Sequence, residues 1–320
     1  MISQEATSDM KTFTLGIALA VLVGLMPATV AAQETRPPEE TTVEDIVVLG
    51  TPLREQVETF ADTVVAPPHG RGPARWSARS GICVGVVNLQ REAAQAMVDR
   101  VSEVALDLGL PIGEPGCSPN VLIIATDDAS ALTAALVERS PNAFRPPYSG
   151  SSRSRLQLRR FIESDAPVRW WHVSLPVNSE TGGIAVRIPG YAPPQTGTMA
   201  SRLTTVIQND LRRAYVIIDI DQAEGVTFQQ LADYVAMVAF AQVDPDADLS
   251  GFPTILNVFD NPTIPFGLTD WDEAYLGSLY DAELNQRSAN AQSGAVATLM
   301  FRERRRAEAE AEALADAPSE

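Results

Sequence analysis

The 320-residue sequence predicts an α/β body, α+β mixed in its order, arranged as a three-layer-like domain in which buried helices cover a mixed sheet. Three observations carry that reading. ICVGVVNL is an apolar run of strand length, REAAQAMVDRVSEVALDLG then repeats apolar residues at helical spacing, and NVLIIAT returns to a buried strand, together a βαβ-like unit. Further along, VRWWHVSLP and AYVIIDID supply two more strand-like runs. After them, VTFQQLADYVAMVAFAQV is apolar on nearly every side at a length that suits a helix lying in the core.

The N-terminal region reads differently. Lys11 precedes the uncharged stretch Phe13 to Met26, and Pro27 leads into Ala-Thr-Val-Ala-Ala, so residues 1–32 have the order of a secretory signal cleaved near Ala32. Its apolar stretch of 14 residues falls short of the ~20 that cross a bilayer. Glu5 and Asp9 put acid where a signal carries positive charge, which leaves Met1 and Met10 as alternative starts. Periplasmic or secreted localisation follows from this reading. Residues 33–79 are rich in Pro, Glu, Thr, Gly and Arg, the composition of a flexible linker, interrupted by an apolar island from Val43 to Gly50.

Residues 80–288 form the expected globular domain. Its first helix stops at Gly109, a second starts after Asp127 and Asp128, and a Pro, Ser and Arg segment from Ser140 to Asp165 then interrupts the pattern. VRWWHVSLP alternates as a strand, GIAVRIPG is placed to pair with it as a hairpin, and a helix is expected over Ala200 to Arg212. TDWDEAYLGSLYDAEL is the clearest helix, with Thr269 as N-cap, Asp270 and Asp272 in its first turn, and Trp271, Tyr275, Leu276, Leu279 and Tyr280 on one face. Residues 289–320 read as a charged, solvated helical tail.

Charge and composition exclude several functions. The chain carries a net charge of −17, or −16 once Lys11, Glu5 and Asp9 are removed with the signal, a field that repels nucleic acid and anionic lipid. Lys11 is the single lysine, which excludes a lysine Schiff base or a P-loop from the rest of the chain. No second apolar run is long enough for an integral membrane segment after signal cleavage. Cys83 and Cys117, an even pair in an oxidising compartment, are expected to form a disulfide.

No complete catalytic or metal motif is present, and no cofactor is expected. Asp244, Asp246 and Asp248 have the opening spacing of a calcium loop, but Leu249 replaces the turn glycine and Ile255 the closing Glu. Asp219 and Asp221, at the end of an apolar strand, stand two apart and so share a strand face, where like charges raise one another's pKa. The histidines are His69 and His172, and no G-x-S-x-G elbow accompanies them. Trp170 and Trp171 must point to opposite faces of their strand, so one of them, with Tyr148 or Tyr191, is a candidate ligand platform beside His172. Arg153, Arg155, Arg159 and Arg160 form the one basic cluster, read either as pairing for the surplus carboxylates or as a surface for an anionic ligand or partner.

Two stretches resemble known families. Glu44 to Gly50, EDIVVLG, resembles the energy-coupling box of TonB-dependent outer-membrane receptors, with Leu49 where that family has Thr. The resemblance implies that Ile46, Val47 and Val48 add as a strand to the TonB protein. The region from Phe228 to Leu284 is similar to conserved hypothetical exported proteins of proteobacteria, some of which look like zinc metallopeptidases. Where that family carries H-E-x-x-H this helix offers Ala236, Met237 and Phe240, so the resemblance implies a member without metal or catalytic residues. The sequence thus predicts an exported, non-catalytic binding or envelope accessory domain with an envelope protein or ligand as partner. The alternatives are a hydrolase of peptide or cell-wall material using Asp219 or Asp221, and a TonB-linked accessory.

Overall fold

The computed structural model describes residues 51–147, 153–197, 201–263 and 266–315. By its contacts the chain divides into residues 1–49 and 50–320. Residues 1–32, read above as a secretory signal, and Ile46, Val47 and Val48 lie outside the described residues.

Four strands form one mixed sheet: β1 (Val84–Val87), β2 (Val121–Thr126), β3 (Val168–Asn178) and β4 (Ile207–Asp219), in spatial order β1-β2-β4-β3. β1, β2 and β4 run parallel, and β3 closes one edge antiparallel to β4. Strand alternation sorts the side chains into two cores. Val121, Ile123, Val168, Trp170, Ala214, Val216 and Ile218 face the larger core, completed by α1 (Leu53–Val64), α2 (Arg91–Asp107), α6 (Phe228–Phe240), α7 (Asp270–Asp281) and α8 (Ala289–Ala315). Trp171, Val173, Tyr215 and Ile217 face a smaller one under α3 (Ala129–Arg139), α4 (Pro141–Phe144) and α5 (Arg155–Glu163). The predicted mixed α/β class with helices on both sides of a mixed sheet is what the chain adopts.

Local sequence explains most element ends. Asp128 caps α3 by accepting from Ala131 N, and Ser154, Thr227 and Thr269 begin α5, α6 and α7 with reciprocal capping boxes. Gly109, at φ 71°, turns the chain just beyond α2, a backbone region in which a Cβ is strained. The Asp272 carboxylate also accepts from Thr254 Oγ1 and from Ile255 N at 2.8 Å, tying the turn at Ile255–Asn257 to α7. Burial raises its pKa, and the Thr254, Ile255 and Thr269 hydrogen bonds oppose the rise.

The expected disulfide is present: Cys83, just before β1, bonds Cys117 in the loop before β2, with Cα atoms 6.1 Å apart. Loop-closure entropy for its separation of 34 residues corresponds to about 3–4 kcal/mol. Among the described residues no helix is long and apolar enough to cross a membrane.

Four expectations are corrected. Within the segment read as a 33–79 linker, residues 53–64 are instead helical, because Val57, Phe60, Ala61 and Val64 recur at helical spacing and bury one face of α1. Beyond it, Trp76 is buried and donates from Nε1 to Ala239 O at 2.9 Å. Where a helix is expected over Ala200–Arg212, residues 201–206 are loop and bend and β4 begins at Ile207, where pairing with β3 overrides local preference, with a register shift at Val173/Ser174. GIAVRIPG follows the outer edge of β3 only briefly, with one bridge, Val177 to Ile184, and backbone hydrogen bonds from Asn178 N to Gly183 O and from Ala185 N to Pro176 O. The 289–320 tail is half core, since Gln292, Val296, Ala297 and Met300 of α8 are buried before the charged repeat begins.

The ring of Phe60 meets those of Phe252, Trp271 and Tyr275 edge-on at 5.2, 5.4 and 5.7 Å. Phe60→Ala is expected to cost about 3–5 kcal/mol in urea unfolding of the oxidised protein. A cost under ~1 kcal/mol would show that α1 lies outside the cooperative unit.

Candidate functional site

β3 is an edge strand, and around its first residues the two helical layers approach each other without a further strand between them. Trp170 lies on the α6 side and donates from Nε1 to Val243 O at 3.0 Å, while Trp171 lies on the α5 side and donates to Phe144 O at 2.8 Å. Between them, Arg169 shares the α5 side with Trp171, as the pleat requires. A cavity of about 120 Å³ opens here, walled by Phe161, Trp170, Trp171 and Tyr234 and carrying Arg153, Arg160 and Arg169. Val168 pairs with Ile218, and Asp219 N donates to Pro167 O at 2.9 Å. The cavity therefore sits at the carboxyl edge of the parallel strands, the usual ligand edge of α/β sheets.

The three arginines differ in how their charge is met. Arg160 pairs with Asp246 at 2.7 Å, both side chains more than half exposed, and the pair contributes little to stability. Arg153 is buried and pairs with Asp244 at 2.9 Å. Arg169 is 2% exposed, and its Nη1 donates to Ser130 Oγ at 3.2 Å and Ile162 O at 3.3 Å. Its Nε and Nη2 have no hydrogen-bond partner, and among the described residues it makes no ion pair. Burial lowers its pKa, and the more distant Asp219, Asp165 and Asp128 oppose that. A guanidinium stays protonated even so, so a buried positive charge lies at the cavity wall, with Nε and Nη2 covered by protein atoms and without a hydrogen-bond partner.

The sequence-predicted site residues are only partly brought together. Arg153 and Trp170 line the cavity, but Arg155 and Arg159 lie on the exposed side of α5, because helix rotation separates them from Gln157, Arg160 and Phe161. His172 is no surface group: it is buried and hydrogen-bonds Val238 O through Nε2 at 2.6 Å, so it is the neutral Nε2–H tautomer that donates. Asp219 is buried and accepts from Gln222 N and Nε2 at 3.3 and 3.2 Å. Asp221 is exposed, because the strand ends at Asp219 and the expected shared face is lost. Tyr191 stands apart, 69% exposed, and Tyr148 lies outside the described residues.

Asp244 and Asp246 of the apparent calcium loop are engaged by arginines, and Asp248 accepts from Ser250. Among the described residues no group of three or more His, Cys, Asp or Glu is placed to hold a metal ion. Arg169, Tyr234 and Phe161 escaped sequence reasoning. The available signal was Arg169 itself, a charge between the apolar residues of a strand that turns out fully buried. Comparison with protein-family models, curated proteins and solved structures gives no match.

Burial pulls the His172 pKa down to about 4, with the nearby Arg153 adding to the fall and the Val238 hydrogen bond opposing it. Because the folded value lies below the ordinary 6.5, the stability that neutral His172 contributes is complete above pH 6.5 and is lost as pH falls toward 4. The difference in unfolding free energy between wild type and His172→Gln is expected to change by up to ~3 kcal/mol over that interval. A difference that does not vary with pH would show that His172 accepts a proton in the folded protein.

Proposed function

We propose that the protein is exported and acts as a non-catalytic binding domain for a small carboxylate seated on Arg169. One observation carries the reading: the Arg169 guanidinium is buried, lines an aromatic-walled cavity and leaves Nε and Nη2 without partners. Those two nitrogens form one edge of the planar fork, whose parallel N–H groups match the two oxygens of a carboxylate, and because protein atoms cover them a ligand reaches them by displacing the side chains around the cavity. The cavity volume of about 120 Å³ is somewhat below the ~150 Å³ that admits benzene, so it suits a head group with a small apolar portion, the remainder of the ligand extending outward. Export is supported by the order of residues 1–32, and the Cys83–Cys117 disulfide suits an oxidising compartment.

The hydrolase alternative rests on Asp219 or Asp221. One is held by Gln222 and the other faces solvent, so no observation favours it.

Thermal unfolding with benzoate and hexanoate tests the reading. Both are expected to raise the Tm of the wild type in a concentration-dependent way. Arg169→Met, which removes an unpaired buried charge, should match or exceed the unliganded wild type in stability while losing at least about tenfold in carboxylate affinity. Equal stabilisation of both proteins by the carboxylates, or of neither, would overturn the assignment.

A further inference from the structure

A second cavity, of about 260 Å³, adjoins the arginine-lined one, and the two share Ala166, Val168, Trp170, Tyr234 and Pro245. Its chemistry is of the opposite sign. Asp244, Asp248 and Asp260 line it without an arginine. Asp244 is committed to Arg153, but neither Asp248 nor Asp260 makes an ion pair among the described residues. Hydrogen bonds from Ser250 Oγ at 2.7 Å and Ser250 N at 3.1 Å hold the Asp248 carboxyl below its ordinary range, so it is anionic at neutral pH.

The shared wall is also built for a ligand. Tyr234 is 7% exposed and packs edge-on against Trp170 at 6.0 Å and Phe259 at 5.0 Å. Its hydroxyl makes no hydrogen bond to any described residue although the side chain borders both cavities. Burial, reinforced by Asp260, pushes its pKa up, so the hydroxyl stays a neutral donor. The phenol thus borders both a cavity lined by Arg169, which makes no ion pair among the described residues, and one lined by Asp248 and Asp260, which make none either.

We propose that the two cavities are one site for a small linear zwitterion, whose carboxylate is held by Arg169 and whose ammonium lies toward Asp248 and Asp260. The apolar spacer crosses Trp170 and Tyr234, where the indole face also favours the cation, and the Tyr234 hydroxyl bonds a polar group of the ligand. An α-amino acid carries both charges on one carbon and cannot set them on either side of these rings, so the ligand class is an ω-amino carboxylate or a molecule of the same charge spacing. This inference rests on the carboxylate reading of Arg169 given above.

Calorimetric titration of the oxidised protein with hexanoate, 6-aminohexanoate and longer and shorter ω-amino carboxylates separates the two readings. At the best chain length the zwitterion is expected to bind about tenfold more tightly than the matching monocarboxylate. Asp248→Asn combined with Asp260→Asn, which keeps the side-chain shapes and the acceptor for Ser250, should remove that gain and leave hexanoate binding unchanged. If hexanoate binds and no ω-amino carboxylate binds more tightly, the zwitterion proposal fails while the carboxylate site stands. If neither class binds, both fail.

Discussion

The ladder between β3 and β4 holds the two sides of the molecule together. Its 11 paired positions make β3 alternate strictly, and adjacent indoles therefore enter different cores. Trp170 is fastened to the chain leaving α6, Trp171 to the end of α4, and His172 again to α6. A shift of one residue would exchange every one of these attachments and put Arg169 among the apolar residues of the larger core. The same alternation gives the cavity its character, because it sets a guanidinium and two indoles side by side at a strand edge where the helical layers do not quite meet.

Buried charge elsewhere in this acidic chain is met internally. Asp233 is held by Arg100 Nε and by Gln229 Nε2 at 2.9 Å, and Asp272 accepts from Thr254, Ile255 and Thr269. Arg75 donates to the carbonyls of Leu279 and Tyr280, with Asp210 contributing a favourable charge nearby. Removing one member of such a set leaves an uncompensated group and is strongly destabilising. Arg169 stands outside this pattern, with one nitrogen satisfied and two not. Single buried polar atoms without a partner occur elsewhere, at Arg145, Arg153, Arg212 and Arg304 among others, but Arg169 leaves two nitrogens of one guanidinium open beside a cavity.

Where local chemistry decides structure, the sequence was legible. Thr269 caps α7, Asp128 caps α3, α6 is buried on almost every side, and the first βαβ unit and the cysteine pairing read directly. Where tertiary partners decide, it was not. β4 begins seven residues inside a segment that composition alone allows to be helical, because β3 reaches back to pair with it. α1 hides between Pro-rich flanks, and its apolar stripe has meaning only against Phe252, Trp271 and Tyr275. The site was half legible for the same reason. Arg153 and Trp170 drew notice as a basic cluster and an aromatic pair, but Tyr234 acquires its role only when α6 is laid beside the start of β3.

The disulfide fastens the weakest strand of the sheet. β1 has four residues, Val84–Val87, and forms the edge opposite β3, where Cys83 N also donates to Asn120 Oδ1 at 2.8 Å and Asn120 Nδ2 to Gly81 O at 2.9 Å. Cys83 and Cys117 are the only cysteines in the chain. Within one molecule there is a single way to oxidise them, so maturation calls for an electron acceptor and has no scrambled isomer for a disulfide isomerase to correct.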